Sequence, residues 1–311
     1  MRFRLVPAVC VVLCACLLVP SPGRAAEGPD PYLDFARHLS KEGDYYRAVT
    51  EAKRFIFLNP RDPRIHEAWL LIGRAYIEGG QFQEARGAFG PVVAQRERPD
   101  LALEAMMDLG RCLEHLDPRG DAIAYYRGLI REPSLPPERA SDIRNQARYR
   151  LGWLYLEDGR WEEARQAFEE VEADHRLKSS ARELADRAPQ GGDLPRKSPA
   201  AAGLMSALLP GSGQVYVGRP TDAALAFGLN ALFLWGAAEA YDDENWAVFT
   251  LLGAMEIGWY GGNIYNAVNG AHAYNQKLDQ DFIKGLRREH GWRLGLDPRH
   301  QGLLLSWTLN Y

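Results

Sequence analysis

Trp69-x-x-Ile72-Gly73-x-x-Tyr76, followed by Gly80, Ala85 and Phe89, is the stretch that decides the fold. Gly73 has counterparts at Ala36, Gly110 and Gly152, Tyr76 at Leu39, Leu113 and Tyr155, and Ala85 at Ala48, Ala122 and Ala164. Each of these alanines follows its small partner by twelve residues, and successive small residues lie 37, 37 and 42 residues apart. A period of that length, with one small and one large apolar position per unit, predicts helical hairpins that must stack because none buries its apolar face alone. Turn residues separate the two helices of each unit: Gly43-Asp44, Gly79-Gly80, Asp117-Pro118-Arg119-Gly120 and Asp158-Gly159. Glycine in these links supplies backbone freedom, and Asn59-Pro60 ends the first unit where proline cannot continue a helix.

This pattern resembles the tetratricopeptide repeat, with four copies across residues 31–188. The first copy departs from the family by carrying Ala52 where a bulky residue is usual, and an insertion around Pro133-Ser134-Leu135-Pro136-Pro137 stretches the last spacing. The resemblance implies an all-α solenoid that binds a protein or peptide along its concave face and catalyses nothing. In such repeats the position after the small residue faces that groove; here it holds Arg37, Arg74, Arg111 and Trp153. Three arginines one repeat apart would offer forked hydrogen bonds to carboxylates of an acidic or C-terminal peptide. Tyr149 and Trp153 would pack an apolar anchor of that peptide. The competing reading pairs the same arginines internally with Glu67, Glu78, Glu104 and Glu114.

The first 25 residues read as an export signal: Arg2 and Arg4, an apolar run over 5–19, a break at Pro20 to Gly23, and small residues at Gly23-Arg24-Ala25. Cleavage there, lipidation at the loosely lipobox-like Leu13-Cys14-Ala15-Cys16 and retention as an anchor remain open, and all three place the repeats outside the cytoplasm, in the bacterial cell envelope. Three of the four cysteines fall within this segment, so Cys112 is left without an intramolecular disulfide partner or a cysteine-based zinc site. The formal charge of −4 becomes three units more negative when the signal's arginines are removed, which argues against nucleic acid as a ligand.

Composition changes at Ala188-Pro189-Gln190-Gly191-Gly192-Asp193, so 189–197 is expected to be a flexible linker. Beyond it, residues 198–290 form an apolar module: a helix opened by Ser198-Pro199, the stretch Pro210-Gly211-Ser212-Gly213-Gln214-Val215-Tyr216-Val217-Gly218-Arg219, a helix from Asp222 to Tyr241, and an apolar segment from Trp246 to Tyr265. From Ile264 onward the pattern becomes amphipathic, as for a packed surface helix. Pro210, Gly211, Gly213, Gln214, Tyr216 and Gly218 spell Pro-Gly-x-Gly-Gln-x-Tyr-x-Gly, which resembles a small bacterial envelope module found after tetratricopeptide repeats; its Tyr-x-Gly-Arg turn is similar to that of two-transmembrane-helix domains. Neither family carries a known reaction to this chain. Abundant small residues suit helix contact in lipid, and suit a tight soluble hairpin equally. Glu256 in mid-segment is costly in a membrane. The acidic turn at Asp242 to Glu244 would face the cytoplasm, with Lys197, Arg219, Lys277, Arg287 and Arg288 opposite, against the positive-inside tendency. In the tail, 291–311, Leu305, Trp307, Leu309 and Tyr311 alternate with polar residues, a pattern that admits a closing β-hairpin.

No nucleophile–base constellation, phosphate loop or helical histidine pair is present, so no enzyme, cofactor or metal site is expected; His290 and His300, flanking the tail hairpin, are too little for a metal assignment. The expected protein is an exported scaffold that holds a protein or peptide partner and is tethered to a lipid membrane. An accessory subunit of a transport or assembly system and a soluble periplasmic chaperone are the alternatives.

Overall fold

The computed structural model describes residues 30–95, 98–116, 118–173 and 175–290; the expected signal and tail hairpin lie outside them. All regular structure among the described residues is helical. The first helix shows how the sequence sets its boundaries. Asp30 caps it by accepting the backbone N–H groups of Tyr32 and Leu33 at 2.9 and 3.1 Å, and Pro31 occupies the first turn.

Eight helices follow in the predicted order: α1 Pro31–Lys41, α2 Tyr45–Leu58, α3 Ile65–Glu78, α4 Phe82–Val93, α5 Pro99–Leu113, α6 Arg119–Arg131, α7 Pro137–Glu157 and α8 Trp161–Glu169, with α1 packed on α2, α3 on α4 and α7 on α8 as expected. The 42-residue spacing arises in α7, whose 21 residues exceed the 15 of α5, the other longest helix of this set. Gly43, Gly80 and Gly159 adopt φ of 84°, 73° and 70° in the interhelical turns, a conformation other residues resist.

The chain divides into two compact units, one ending at Leu116 and the other beginning at Asp117. In the first, α1–α5 build a continuous core in which Phe55, Ile72, Phe89 and Val92 are fully buried. A Cβ on Gly73 would lie 2.4 Å from the Phe89 ring, sixteen residues on, so glycine is the pocket for a phenylalanine. In the second unit Gly152 serves Phe168 in the same way, at 2.6 Å. The first repeat has Ala36 and Ala52, both fully buried, at these two positions: where the ring is missing, a methyl takes the glycine's place. Cys112 is the small buried thiol expected of it; burial pushes its pKa up, and Sγ donates to the Phe82 carbonyl at 2.8 Å.

The second unit continues through α8 to α9 Lys178–Arg187 and a 3-10 turn, Ala188–Gly191. The segment expected to be a flexible linker is pinned: Gly191 is buried against the Trp161 ring. Arg196 donates to the Gly191 and Gly192 carbonyls and pairs with Asp279 at 2.6 Å, and Lys197 exchanges backbone bonds with the Asn275 amide at 2.8 and 2.9 Å. Then come α10 Pro199–Leu208, the short α11 Ser212–Tyr216, α12 Pro220–Asp242 and α13 Trp246–His290. The expected apolar segment and amphipathic helix are one element, because no proline interrupts the 45 residues of α13.

Gly73→Ala should therefore destabilise the repeats by about 1–3 kcal/mol through overpacking against Phe89. Combined with Phe89→Ala, which recreates the Ala36/Ala52 pair, the two changes should cost clearly less than the sum of the single changes. Additive losses in denaturant melts would show that the glycine and the ring do not share one space.

Candidate functional site

Two constellations are built by this fold. The first lies on the repeat arginines of the first unit. Arg37 reaches one repeat forward to Glu67 at 2.7 Å and also pairs with Asp34. Arg74 repeats the motion thirty residues on, bonding Glu104 at 2.8 Å, and adds Asp108 at 2.6 Å. Arg111 meets the other oxygen of Asp108 at 3.1 Å. Burial lowers the Arg74 pKa, but Asp108 and Glu104 outweigh that and hold it above its ordinary value. Of the expected acidic partners, Glu67 and Glu104 take part; Asp108, the most buried carboxylate of the set, was not foreseen. Its signal was present in the sequence, one helical turn beyond Glu104 on the same face.

In the second unit Tyr149 is 2% exposed, so it is a core residue and presents no surface to a ligand. Its ring meets Phe168 edge-on at 5.5 Å and its hydroxyl bonds Ser180 Oγ at 2.9 Å. Trp153 packs on both rings, and the Arg287 guanidinium of α13 lies 5.8 Å from its centroid. The proposed anchor residues are therefore occupied from within the chain.

The second constellation is the Pro-Gly-x-Gly-Gln-x-Tyr-x-Gly stretch. Pro210 follows α10, and Gly211 (φ 92°) and Gly218 (φ 80°) turn the chain on either side of α11. A Cβ on Gly211 would lie 2.4 Å from the Ala223 carbonyl oxygen of α12, and one on Gly213 would lie 2.1 Å from the Ala202 carbonyl oxygen of α10. The glycines thus let α11 wedge among its neighbours at backbone distance. Gln214, 2% exposed, accepts the Ser206 hydroxyl at 2.8 Å and donates to the Asn263 carbonyl and side-chain oxygens at 3.0 and 2.5 Å. It ties α10, α11 and α13 in one buried network. The Tyr216 hydroxyl accepts the Ser198 backbone N–H at 3.1 Å, and the Lys197 ammonium sits 4.7 Å from its ring. A cavity of about 400 Å³ opens beside Gln214, between α12 and α13, walled by Leu225, Trp259, Arg219 and Asn266.

The α12–α13 hairpin places its residue types in reverse order to a water-soluble pair. Its inward positions are small or polar: Ala223, Ala226 and Asn230 on α12, with Glu256, Asn263 and Ala267 on α13. Its outward positions carry Leu225, Phe227, Leu232, Leu234, Trp235, Leu251, Met255 and Ile257, the last 77% exposed. At the turn, Tyr241, Trp246 and Phe249 cluster with centroids 5.5–6.2 Å apart.

Truncating Arg74 to alanine should destabilise the first unit by about 1–3 kcal/mol, since the buried Asp108 loses a charged partner. Arg37→Ala, whose partners Glu67 and Asp34 keep more contact with water than Asp108 does, should change it by roughly 0–1 kcal/mol. Equal losses in thermal melts would refute the distinction. In the module, Gly213→Ala should strip protease resistance from 198–290, whereas Gly228→Ala, whose Cβ would enter open space, should not; equal resistance would show that the motif is an ordinary connection.

Family models described as tetratricopeptide repeat match residues 33–90, 70–136 and 146–176. The chain is also similar to the crystal structure of a tetratricopeptide repeat protein from Parabacteroides merdae ATCC 43184, at 16% identity and a TM-score of 0.40, over 82% of this chain and 97% of that one. No curated protein matches significantly. Together these matches cover 33–136 and 146–176, the stretch of the chain that holds α1–α8.

Proposed function

We propose that the protein is an exported, non-enzymatic scaffold whose repeats hold a protein partner and whose α12–α13 hairpin inserts into an envelope membrane. The reversed polarity of that hairpin carries the reading. A continuous set of large apolar side chains facing outward is unfavourable in water and favoured in hydrocarbon. Small inward residues meanwhile permit the close helix contact that packing in lipid relies on. The 23 residues of α12 are long and apolar enough to cross a membrane, and at 1.5 Å per residue they extend about 34 Å, against a hydrocarbon core of about 30 Å. The aromatic cluster at the turn suits a membrane–water interface. Export rests on the basic and apolar pattern of the first 25 residues.

Partner recognition by the repeats is read as competitive. Arg37 and Arg74 are already satisfied by Glu67, Glu104 and Asp108, so an acidic peptide would bind by exchanging its own carboxylates for these. That exchange yields selectivity for a matched spacing of charges and little affinity for an isolated carboxylate.

Carbonate-washed bacterial membranes should retain the protein in the pellet. Leu232→Arg with Ile257→Arg, both on outward faces, should release it, because each arginine costs about 2.5–3.5 kcal/mol at the centre of a membrane helix and little at a water-exposed position. Release of the unsubstituted protein would overturn the membrane reading.

A further inference from the structure

We propose that Glu183, Glu289 and His290 form a divalent-cation site of the zinc class that fastens the end of α13 to α9. Glu183 lies on α9, the other two residues in the last turn of α13, and one ligand atom from each falls within 4.8 Å of the others. His290 is 7% exposed, and its Nε2 has no hydrogen-bond partner. Its Nδ1 is held by Ser180 Oγ at 3.2 Å, and Ser180 in turn meets the buried Tyr149 hydroxyl at 2.9 Å. That chain fixes the ring and leaves Nε2 facing the Glu183 carboxylate, 3.9 Å away.

A ring nitrogen and two carboxylates turned toward one point are all electron-pair donors, and a cation between them resolves their mutual repulsion. One imidazole and two carboxylates form a ligand set suited to zinc and neighbouring divalent metals, with a further position left for water. The hydrogen bond from the far ring nitrogen is the outer support that such histidines use. Ligand atoms around tetrahedral zinc stand about 3.3 Å apart, so the two exposed carboxylates must close inward by an ångström or so. Arg187, which pairs with Glu289, would be displaced. The cation would then decide whether the end of α13 is clamped on α9 by metal or held there by the Arg187–Glu289 pair and the Ser180–His290 hydrogen bond.

The test uses the full-length protein, stripped of metal and titrated with zinc against a chromogenic chelator, with cobalt as a spectroscopic stand-in. One equivalent should bind, give a low-symmetry cobalt spectrum and raise the melting temperature. Glu183→Gln should weaken binding at least about tenfold, and Ser180→Ala by roughly 10–100-fold through loss of the ring's support. Glu183 is exposed, so its substitution should leave the metal-free melting temperature unchanged and keep the test valid. Failure to bind zinc, or equal binding by the Glu183→Gln, Glu289→Gln double variant, would overturn the site.

Discussion

The structure depends on places where one helix has no side chain and another fills the space. Gly73 beneath Phe89 and Gly152 beneath Phe168 bring paired helices close enough for the ring to be buried completely. In the C-terminal module the closeness is greater still, because Gly211 and Gly213 face backbone carbonyls of α12 and α10 instead of side chains. Close packing leaves no room for a methyl at such points, and where no ring has to be housed, at the buried Ala36/Ala52 pair, alanine stands in the glycine's place.

Charge is organised on a second level, between repeats. Because Arg37 and Arg74 each reach a carboxylate thirty residues ahead, they link successive repeats of the first unit. The buried Asp108 meets two arginines, Arg74 and Arg111. The same pairing that steadies the repeats spends the positive charge a ligand would otherwise meet, so binding and stability compete for the same guanidinium groups.

The C-terminal module inverts the usual order of burial. Gln214, Ser206 and Asn263 satisfy one another inside it, while leucines, phenylalanines and tryptophans face out. A buried polar network of this sort fixes the arrangement of α10, α11 and α13 by geometry, leaving the apolar exterior free to meet a nonpolar surroundings. Tyr149 links the repeats' core to the His290 end of α13 through Ser180, so its buried hydroxyl has a structural function that an aromatic count would not suggest.

The sequence by itself determined the helices of the repeats, the glycine turns at Gly43, Gly80 and Gly159 and the register of small residues, because each is a local property of spacing, glycine and proline. It determined equally the apolar composition of α12 and the place of the Gly-Gln-Tyr motif. Only the tertiary structure decided what faces each small residue, since Gly73 and Phe89 lie on different helices and the sixteen-residue step gains meaning only once those helices pack. The same holds for Asp108, for the burial of Tyr149 and for the pinning of 189–197 by Asn275 and Asp279. Periodicity reports which face of a helix is apolar; it carries no information on whether the neighbour is protein or lipid. The meeting of Glu183 with Glu289 and His290 across more than a hundred residues likewise comes from packing alone.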